Sequence, residues 1–182
     1  MLPFTLFTSL VFALLAVGSH SFHQNPSDIL SIQHTIAQYP LSIDLKDFSH
    51  LSTVFTNDAV ANYGIAGGVF HGLSDIEIKL SGLLVNFTTQ HSLTTQSINV
   101  LSKHNAEADT YVIATQFGKA STSTEGTMVV AYARFQDKLR FTNGVWKIYD
   151  RLVVFMVHPI QFFKFERQLI RFCQGPFIRS SL

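Results

Sequence analysis

Histidines and carboxylates are the side chains of this sequence best suited to chemistry, and their arrangement favours proton transfer. A histidine can take or donate a proton near neutral pH, because its reference pKa is about 6.5, and a nearby carboxylate can fix its tautomer. No two histidines fall at metal-ligand spacing on one predicted helix or strand, and no serine stands in a nucleophile elbow. The glycine-rich segment 64–68 lacks the strand, helix and downstream acid of a dinucleotide site. We therefore expect acid–base chemistry that uses no metal and no cofactor.

The first half of the chain, which must position these side chains, is predicted to be mainly helical. Apolar residues at helical spacing predict an amphipathic helix over 28–39, and Pro40 is expected to kink or end it. A second short helix should follow, with Asp44 or Asp47 at its N-cap. The run Ser74-Asp75-Ile76-Glu77 predicts a capping box that opens a third, apolar helix.

The second half is predicted to be an antiparallel sheet. After a short strand at 59–63, the apolar residues recur with a period of two in four longer runs: 91–101, 108–123, 126–139 and 145–157. The segments 124–126 and Thr142-Asn143-Gly144 are typical of tight turns between antiparallel strands. Helices followed by such a sheet predict an α+β fold, in which the N-terminal helices cover one face of a curled antiparallel sheet and a pocket lies between the two layers.

Residues 1–19 have the pattern of a secretory signal peptide. The apolar run 6–17 is too short for a membrane span and ends in small residues, although no Lys or Arg precedes it, so an uncleaved anchor is the alternative. A secreted chain with the single cysteine Cys173 must fold without internal disulfides. The triplet Asn86-Phe87-Thr88 predicts glycosylation of Asn86. We expect a secreted glycoprotein.

The mature chain is long enough for one domain, predicted over residues 26–157. The remaining residues, 158–182, form a tail rich in Phe and Arg, and its segment 159–177 is predicted to be a helix that lies over the pocket as a lid. The alternative is a helix that lies on a membrane surface.

Three segments, in chain order, resemble the scytalone dehydratase branch of the SnoaL-like families. The first begins Ser42-Ile43-Asp44-Leu45-Lys46-Asp47-Phe48 and runs on to Tyr63, the second is Thr89-Gln90-His91, and the third is Asn143-Gly144-Val145-Trp146-Lys147-Ile148. The resemblance covers roughly residues 28 to 157. It implies the nuclear transport factor 2-like fold, a cone-shaped sheet that encloses one apolar pocket.

The resemblance also implies roles for particular side chains. It places a catalytic carboxylate at Asp44, a catalytic histidine at His91 and a pocket tyrosine at Tyr63. Three further aromatic side chains are expected to bind the substrate: Phe48, Trp146 and Tyr132.

Two positions depart from the family pattern. Ile43 replaces a tyrosine before the catalytic carboxylate, and the segment 115–121 has no counterpart of a second catalytic histidine. We therefore expect a related pocket reaction rather than dehydration of scytalone itself.

Structural roles are the alternatives for the same residues. Asp44 can cap a short helix, His91 can be a hydrogen-bonded histidine at a strand start, and Tyr63 can be a core residue. The neighbours Asp150 and Arg151 are predicted to form an ion pair on one sheet face or to be solvated, and a role in the pocket is the alternative.

The sequence thus predicts a cofactor-free lyase, isomerase or cyclase of secondary metabolism that acts on a small apolar oxygenated metabolite, such as a polyketide or terpenoid. In this hypothesis His91 is the general base or acid and Asp44 orients it. The alternative is a non-catalytic secreted module that binds a small ligand or dimerises. With 13 basic and 12 acidic residues, the chain has too little net charge to attract nucleic acid electrostatically. We expect a small-molecule partner and no membrane partner, and a homo-oligomer remains an open alternative.

Overall fold

Two α-helices, one 3-10 helix and seven strands make up the part of the chain that the computed structural model describes, which is residues 25–64 and 67–156 and the backbone of 161–164. The signal peptide predicted for 1–19, Cys173 and most of the tail lie outside these residues. The elements, in chain order, are α1 (Pro26–Asp44), the 3-10 helix (Phe48–Thr53), β1 (Phe55–Asn62), β2 (Val69–His71), α2 (Leu73–Leu84), β3 (Phe87–Val100), β4 (Asn105–Gly118), β5 (Thr127–Thr142), β6 (Val145–Phe155) and β7 (Gln161–Lys164).

The helix α1 is longer than predicted, because it continues through Pro40 to Asp44. A proline inside a helix has no N–H to donate to the carbonyl four residues earlier. Here Pro40 itself is buried, and Ser42 and Ile43 beyond it are buried as well. The last turn is therefore stabilised by packing and by the contacts of Asp44 with the sheet, and the predicted break does not occur.

The capping box predicted for α2 is wrong. The helix begins at Leu73, its N-cap is Gly72 with a φ of 84°, and no side chain caps it. Asp75 instead accepts a hydrogen bond from the His71 N–H at 2.9 Å and pairs with Lys79 at 3.0 Å. A glycine at the cap adopts this positive φ without strain, so α2 begins after Gly72 rather than after the predicted cap at Ser74.

The sheet has the order β2-β1-β6-β5-β4-β3, with β7 also paired to β5. Its strands are antiparallel to their neighbours except β1 and β6, which are parallel. The helix α1 touches both β3 and β6, although β4 and β5 separate these strands in the sheet. The sheet must therefore curl around α1, and its two edges remain unpaired within the described residues. This confirms the predicted α+β fold with a curled sheet covered by helices.

One of the two predicted turns forms as expected, whereas β4 ends at Gly118 and a longer connection, 119–126, replaces the tight turn predicted at 124–126. Asn143 and Gly144 have φ angles of 52° and 81°, as the predicted turn between β5 and β6 requires. Residues Gln161–Lys164 form β7, so the helix predicted over 159–177 does not include them.

A buried ion pair joins β5 to β6 beneath α1. Arg151 donates two hydrogen bonds to Asp137, both 2.7 Å long, and neither side chain is exposed. The guanidinium carbon lies 4.3 Å from the ring centroid of Tyr39 and 4.2 Å from that of Phe135. Burial alone would lower the pKa of Arg151, but Asp137 outweighs it and raises that pKa, so the arginine stays charged.

The predicted pairing of Asp150 with Arg151 is wrong, because the two side chains lie on opposite faces of the sheet. Asp150 contacts Lys138 on the outer face at 3.0 Å. A bulge at Tyr149 shifts the register of β6 between Ile148 and Asp150. As a result Ile148 and Arg151, three residues apart, both face the core.

No helix among the described residues is long and apolar enough to cross a membrane.

The buried ion pair generates a stability prediction. Asp137→Asn leaves the Arg151 charge buried without its counterion, so the free energy of unfolding should fall by about 3–5 kcal/mol. Urea denaturation of the wild type and the variant measures this loss. The matched control is Asp150→Asn, which removes the partner of Lys138 on the outer face of the same two strands and should change stability little. Equal losses of unfolding free energy in the two variants would contradict the prediction that the buried ion pair contributes more to stability than the exposed one.

Candidate functional site

The end of α1 meets β3 through a direct contact between Asp44 and His91. The His91 Nδ1 lies 2.7 Å from the Asp44 Oδ1, and the His91 backbone N–H donates to the Asp44 Oδ2 at 2.8 Å. The His91 side chain is 8% exposed and that of Asp44 is 23% exposed. The structure therefore brings together the two residues that the sequence marked as the acid–base pair, and neither side chain extends into bulk solvent.

The Asp44 carboxylate is held by a third hydrogen bond that the sequence did not predict. The Thr89 hydroxyl donates to the Asp44 Oδ1 at 2.9 Å. Burial alone would raise the pKa of Asp44, but the hydrogen bonds from His91 and Thr89 outweigh it and lower that pKa. The carboxylate is therefore ionised and can only accept hydrogen bonds. It follows that the His91 Nδ1 donates to it, which leaves the Nε2 as the proton acceptor whenever the ring is neutral.

Thr89 is in turn held by Lys46. The Lys46 Nζ donates to the Thr89 Oγ1 at 2.7 Å and to the Ile43 carbonyl at 3.1 Å. Partial burial lowers the pKa of Lys46, and nearby Lys119 acts in the same direction, whereas Asp44 raises it. Thr89 was part of the motif that carried the resemblance, and its own role could have been found only from its position two residues before His91 on the same strand face.

A tyrosine of α1 connects the acid–base pair to the core. The Tyr39 ring packs edge-on against His91 with centroids 6.2 Å apart, and its hydroxyl lies 3.1 Å from that of Tyr63. Burial raises the pKa of both tyrosines, so neither is suited to lose its proton at neutral pH. The contacts described link Tyr63 to His91 through Tyr39, not directly. The apolar spacing Ile32, Ile36, Tyr39 was the signal that places Tyr39 on the buried helix face.

The two positions of β4 that pair with His91 and Thr89 carry no side chain that transfers protons near neutral pH. Along β4, Ala114 pairs with His91 and Gln116 pairs with Thr89. Neither side chain titrates near neutral pH.

Two of the three aromatic residues predicted to bind substrate lie away from the acid–base pair. The Trp146 indole donates to Asp28 at 3.0 Å, at the first turn of α1, whereas Asp44 is at its last. A separation of sixteen positions along a helix corresponds to about 24 Å. Tyr132 is 49% exposed on the outer face of β5, because strand alternation puts it opposite its buried neighbours Ala131 and Ala133. The structure therefore places neither residue beside the acid–base pair, and their predicted role in substrate binding stays a prediction.

Two other predicted positions, Phe48 and Asn86, lie outside the hydrogen bonds of the acid–base pair. Phe48 starts the 3-10 helix and packs partly buried against the core. Asn86 is half-buried in the turn before β3, and its carbonyl accepts from the Lys119 N–H at 2.9 Å. A groove of about 520 Å³ lies on the other face of the sheet, between Asn62, Glu107 and Lys138, and does not include His91. Within the described ranges no three metal-ligating side chains lie close enough together to hold a metal ion.

Comparison with known proteins places this geometry in a wider context. A family model described as a SnoaL-like domain matches residues 24–151. No curated protein matches the sequence.

Several solved structures share the fold. A protein from Novosphingobium aromaticivorans, proposed to be an aromatic ring hydroxylase, has a TM-score of 0.68 and 25% identity over 78% of this chain and 96% of its own. A protein from the same species, proposed to be a scytalone dehydratase, has a TM-score of 0.64 and 17% identity over 77% and 89%. A hexachlorocyclohexane dehydrochlorinase has a TM-score of 0.62 and 15% identity over 78% and 90%.

The lowered pKa of Asp44 predicts how the stability depends on pH. A carboxylate whose pKa is lower in the folded state than its ordinary 3.8 adds stability above that value, and the contribution is lost as the pH falls through the folded pKa. The wild type should therefore exceed Asp44→Asn in free energy of unfolding at pH 7, and the difference should shrink below about pH 4. Chemical denaturation at a series of pH values measures it. Asp47→Asn, at an exposed carboxylate nearby, should keep the wild-type dependence, and a difference for Asp44→Asn that is constant from pH 7 to pH 3 would contradict the prediction.

Proposed function

The chain belongs to the SnoaL-like domain family, and from that premise we propose that it is a cofactor-free lyase or isomerase of a small, apolar, oxygenated metabolite. The observation that carries the proposal is the 2.7 Å hydrogen bond between the His91 Nδ1 and the ionised Asp44. A histidine oriented in this way offers its Nε2 as a general base and, once protonated, returns the proton as an acid. The Asp44 carboxylate stabilises the imidazolium formed in between.

The surroundings of His91 favour reactions that need one proton-transfer residue. Its neighbours across the strand are Ala114 and Gln116, and burial raises the pKa of Tyr39 and Tyr63, so these tyrosines are suited to donate hydrogen bonds but not to act as bases. His91 can remove a proton from carbon and return it to another carbon, or to a leaving oxygen as it departs. Isomerisation and elimination next to a carbonyl both fit this sequence of steps.

The inner face near His91 supports an apolar substrate. By strand alternation Leu93, Val112 and Ala114 share that face with His91, and the ring of Tyr39 adjoins it. Such surroundings select compounds with large apolar surfaces and few oxygens, such as polyketides or terpenoids. Two structural neighbours are named as a dehydratase and a dehydrochlorinase, which are eliminating enzymes, but at 17% and 15% identity they support the fold alone.

The alternative is a non-catalytic module that binds a small ligand in the same place. It is favoured by one observation, which is that β4 presents Ala114 and Gln116 beside the pair and no second acid or base. The two functions differ in what His91 does, because a binding module needs its ring only for packing and hydrogen bonding.

Replacing His91 separates the two functions. With a panel of β-hydroxy ketones, dehydration is followed through the absorbance of the conjugated enone that forms, and His91→Ala should lower kcat/KM by about 10² to 10⁴-fold. The matched control is His71→Ala, an exposed histidine of β2, which should leave the rate unchanged. Calorimetric titration of the same compounds reports binding. Tight binding with no turnover in the wild type would support the binding module, and full activity of His91→Ala would exclude His91 as the base.

Secretion and glycosylation form a separate part of the proposal. They are supported by the pattern of residues 1–19 and by the sequon at Asn86, whose neighbour Thr88 is exposed. Expression of the full chain in eukaryotic cells should release into the medium a protein that begins near residue 20. Treatment with an N-glycosidase should reduce its mass, and Thr88→Ala should remove that reduction. Retention of the intact chain in the cells would contradict the proposal.

A further inference from the structure

We infer that Lys46 and Thr89 are positioning residues, which together fix the Asp44 carboxylate and thereby the proton on His91. The inference rests on the proposed function, since it assigns a task to two residues that do not themselves exchange a proton with substrate. It starts from a chain of contacts that runs from Lys46 through Thr89 and Asp44 to His91, with lengths of 2.7, 2.9 and 2.7 Å.

The donors and acceptors in this series of contacts allow each hydrogen bond only one direction. A lysine ammonium has three hydrogens and no acceptor, so the Thr89 oxygen must accept from it. The single hydrogen of the Thr89 hydroxyl is then free to point only at the other partner, the Asp44 Oδ1. That oxygen also receives the His91 Nδ1–H, while the Asp44 Oδ2 receives the His91 backbone N–H. With Thr89 and His91 as its donors, the carboxylate has no freedom to rotate, and the ring keeps its hydrogen on Nδ1.

The backbone at Lys46 supports a role for its side chain beyond helix termination. Lys46 has a φ of 62°, in the left-handed region that glycine adopts at the ends of helices without cost. Its N–H donates to the Ile43 carbonyl at 3.3 Å, a bond that any residue with this backbone forms. A glycine would therefore end α1 as well or better. What only a long cationic side chain provides here is the 2.7 Å contact with Thr89.

The charges around the contact are consistent with this assignment. Asp44 raises the pKa of Lys46 while Lys119 lowers it, so the Lys46 ammonium lies within electrostatic reach of both. The Lys119 Nζ itself donates to the Val85 carbonyl at 2.9 Å, which holds it at the end of α2. Lys46 is thus the cation that is hydrogen-bonded, through Thr89, to the acid–base pair.

The test reads the pair directly by NMR and needs no substrate. In the full-length protein, the carboxyl carbon of Asp44 is titrated with pH and the ring nitrogens of His91 report which one is protonated. Thr89→Val removes the hydroxyl at nearly constant volume, and Lys46→Gly removes the cation while suiting the left-handed backbone. In both variants the Asp44 titration should move to higher pH, and the Nδ1–H form of His91 should lose its dominance at neutral pH. Thr89→Ser and Lys46→Arg, which keep the hydroxyl and the cation, should restore wild-type behaviour.

The outcomes separate this inference from the proposed function. If Thr89→Val and Lys46→Gly melt within a few degrees of the wild type and leave the Asp44 titration and the His91 tautomer unchanged, the inference is wrong. In that case a large loss of turnover in His91→Ala would still support the proposed function. If the two NMR signals shift as expected but His91→Ala keeps full activity, the positioning stands and the proposed function fails.

Discussion

The attachment of the Asp44 carboxylate to β3 is the interaction on which the rest of the structure depends. It anchors the last turn of α1 to the inner face of the sheet, and the same contact orients the His91 ring. The other end of α1 is anchored to β6, where Trp146 donates to Asp28 and the Thr35 hydroxyl donates to the Trp146 carbonyl. A helix fixed to two strands that are not adjacent requires a curled sheet. The attachment of Asp44 to β3 therefore determines both the curl of the sheet and the orientation of the His91 ring.

Two hydrogen-bonded units inside the fold have one tyrosine between them. Asp44 and His91 form the unit near the end of α1, and Asp137 and Arg151 form the unit beneath its middle. Tyr39 contacts both, with its ring edge-on to His91 and beneath the guanidinium of Arg151. The Arg151 charge thus has both a counterion and aromatic neighbours, which limits the cost of removing it from water.

Most of the fold was predictable because it rests on local patterns. The period of two and the Asn143-Gly144 turn set the sheet, and the resemblance identified Asp44 and His91. The remaining errors arose where tertiary contacts override local preference. Pro40 is accommodated because the turn after it is buried, and a bulge that no period reveals reverses the faces of Asp150 and Arg151. Lys46 and Thr89 both lie in the motifs that carried the resemblance, but their contact could not be predicted because it depends on how α1 lies against β3.

The bulge at Tyr149 limits where residues can be inserted into or deleted from this chain. The segment of β6 before the bulge aligns Ile148 with the core, and the segment after it aligns Arg151 with Asp137. Deletion of one residue between them would restore regular pleating and rotate the guanidinium to the solvent side, leaving the Asp137 carboxylate in an apolar interior. Insertions and deletions should therefore be tolerated better in the hairpin loops of this sheet than in the middle of β6.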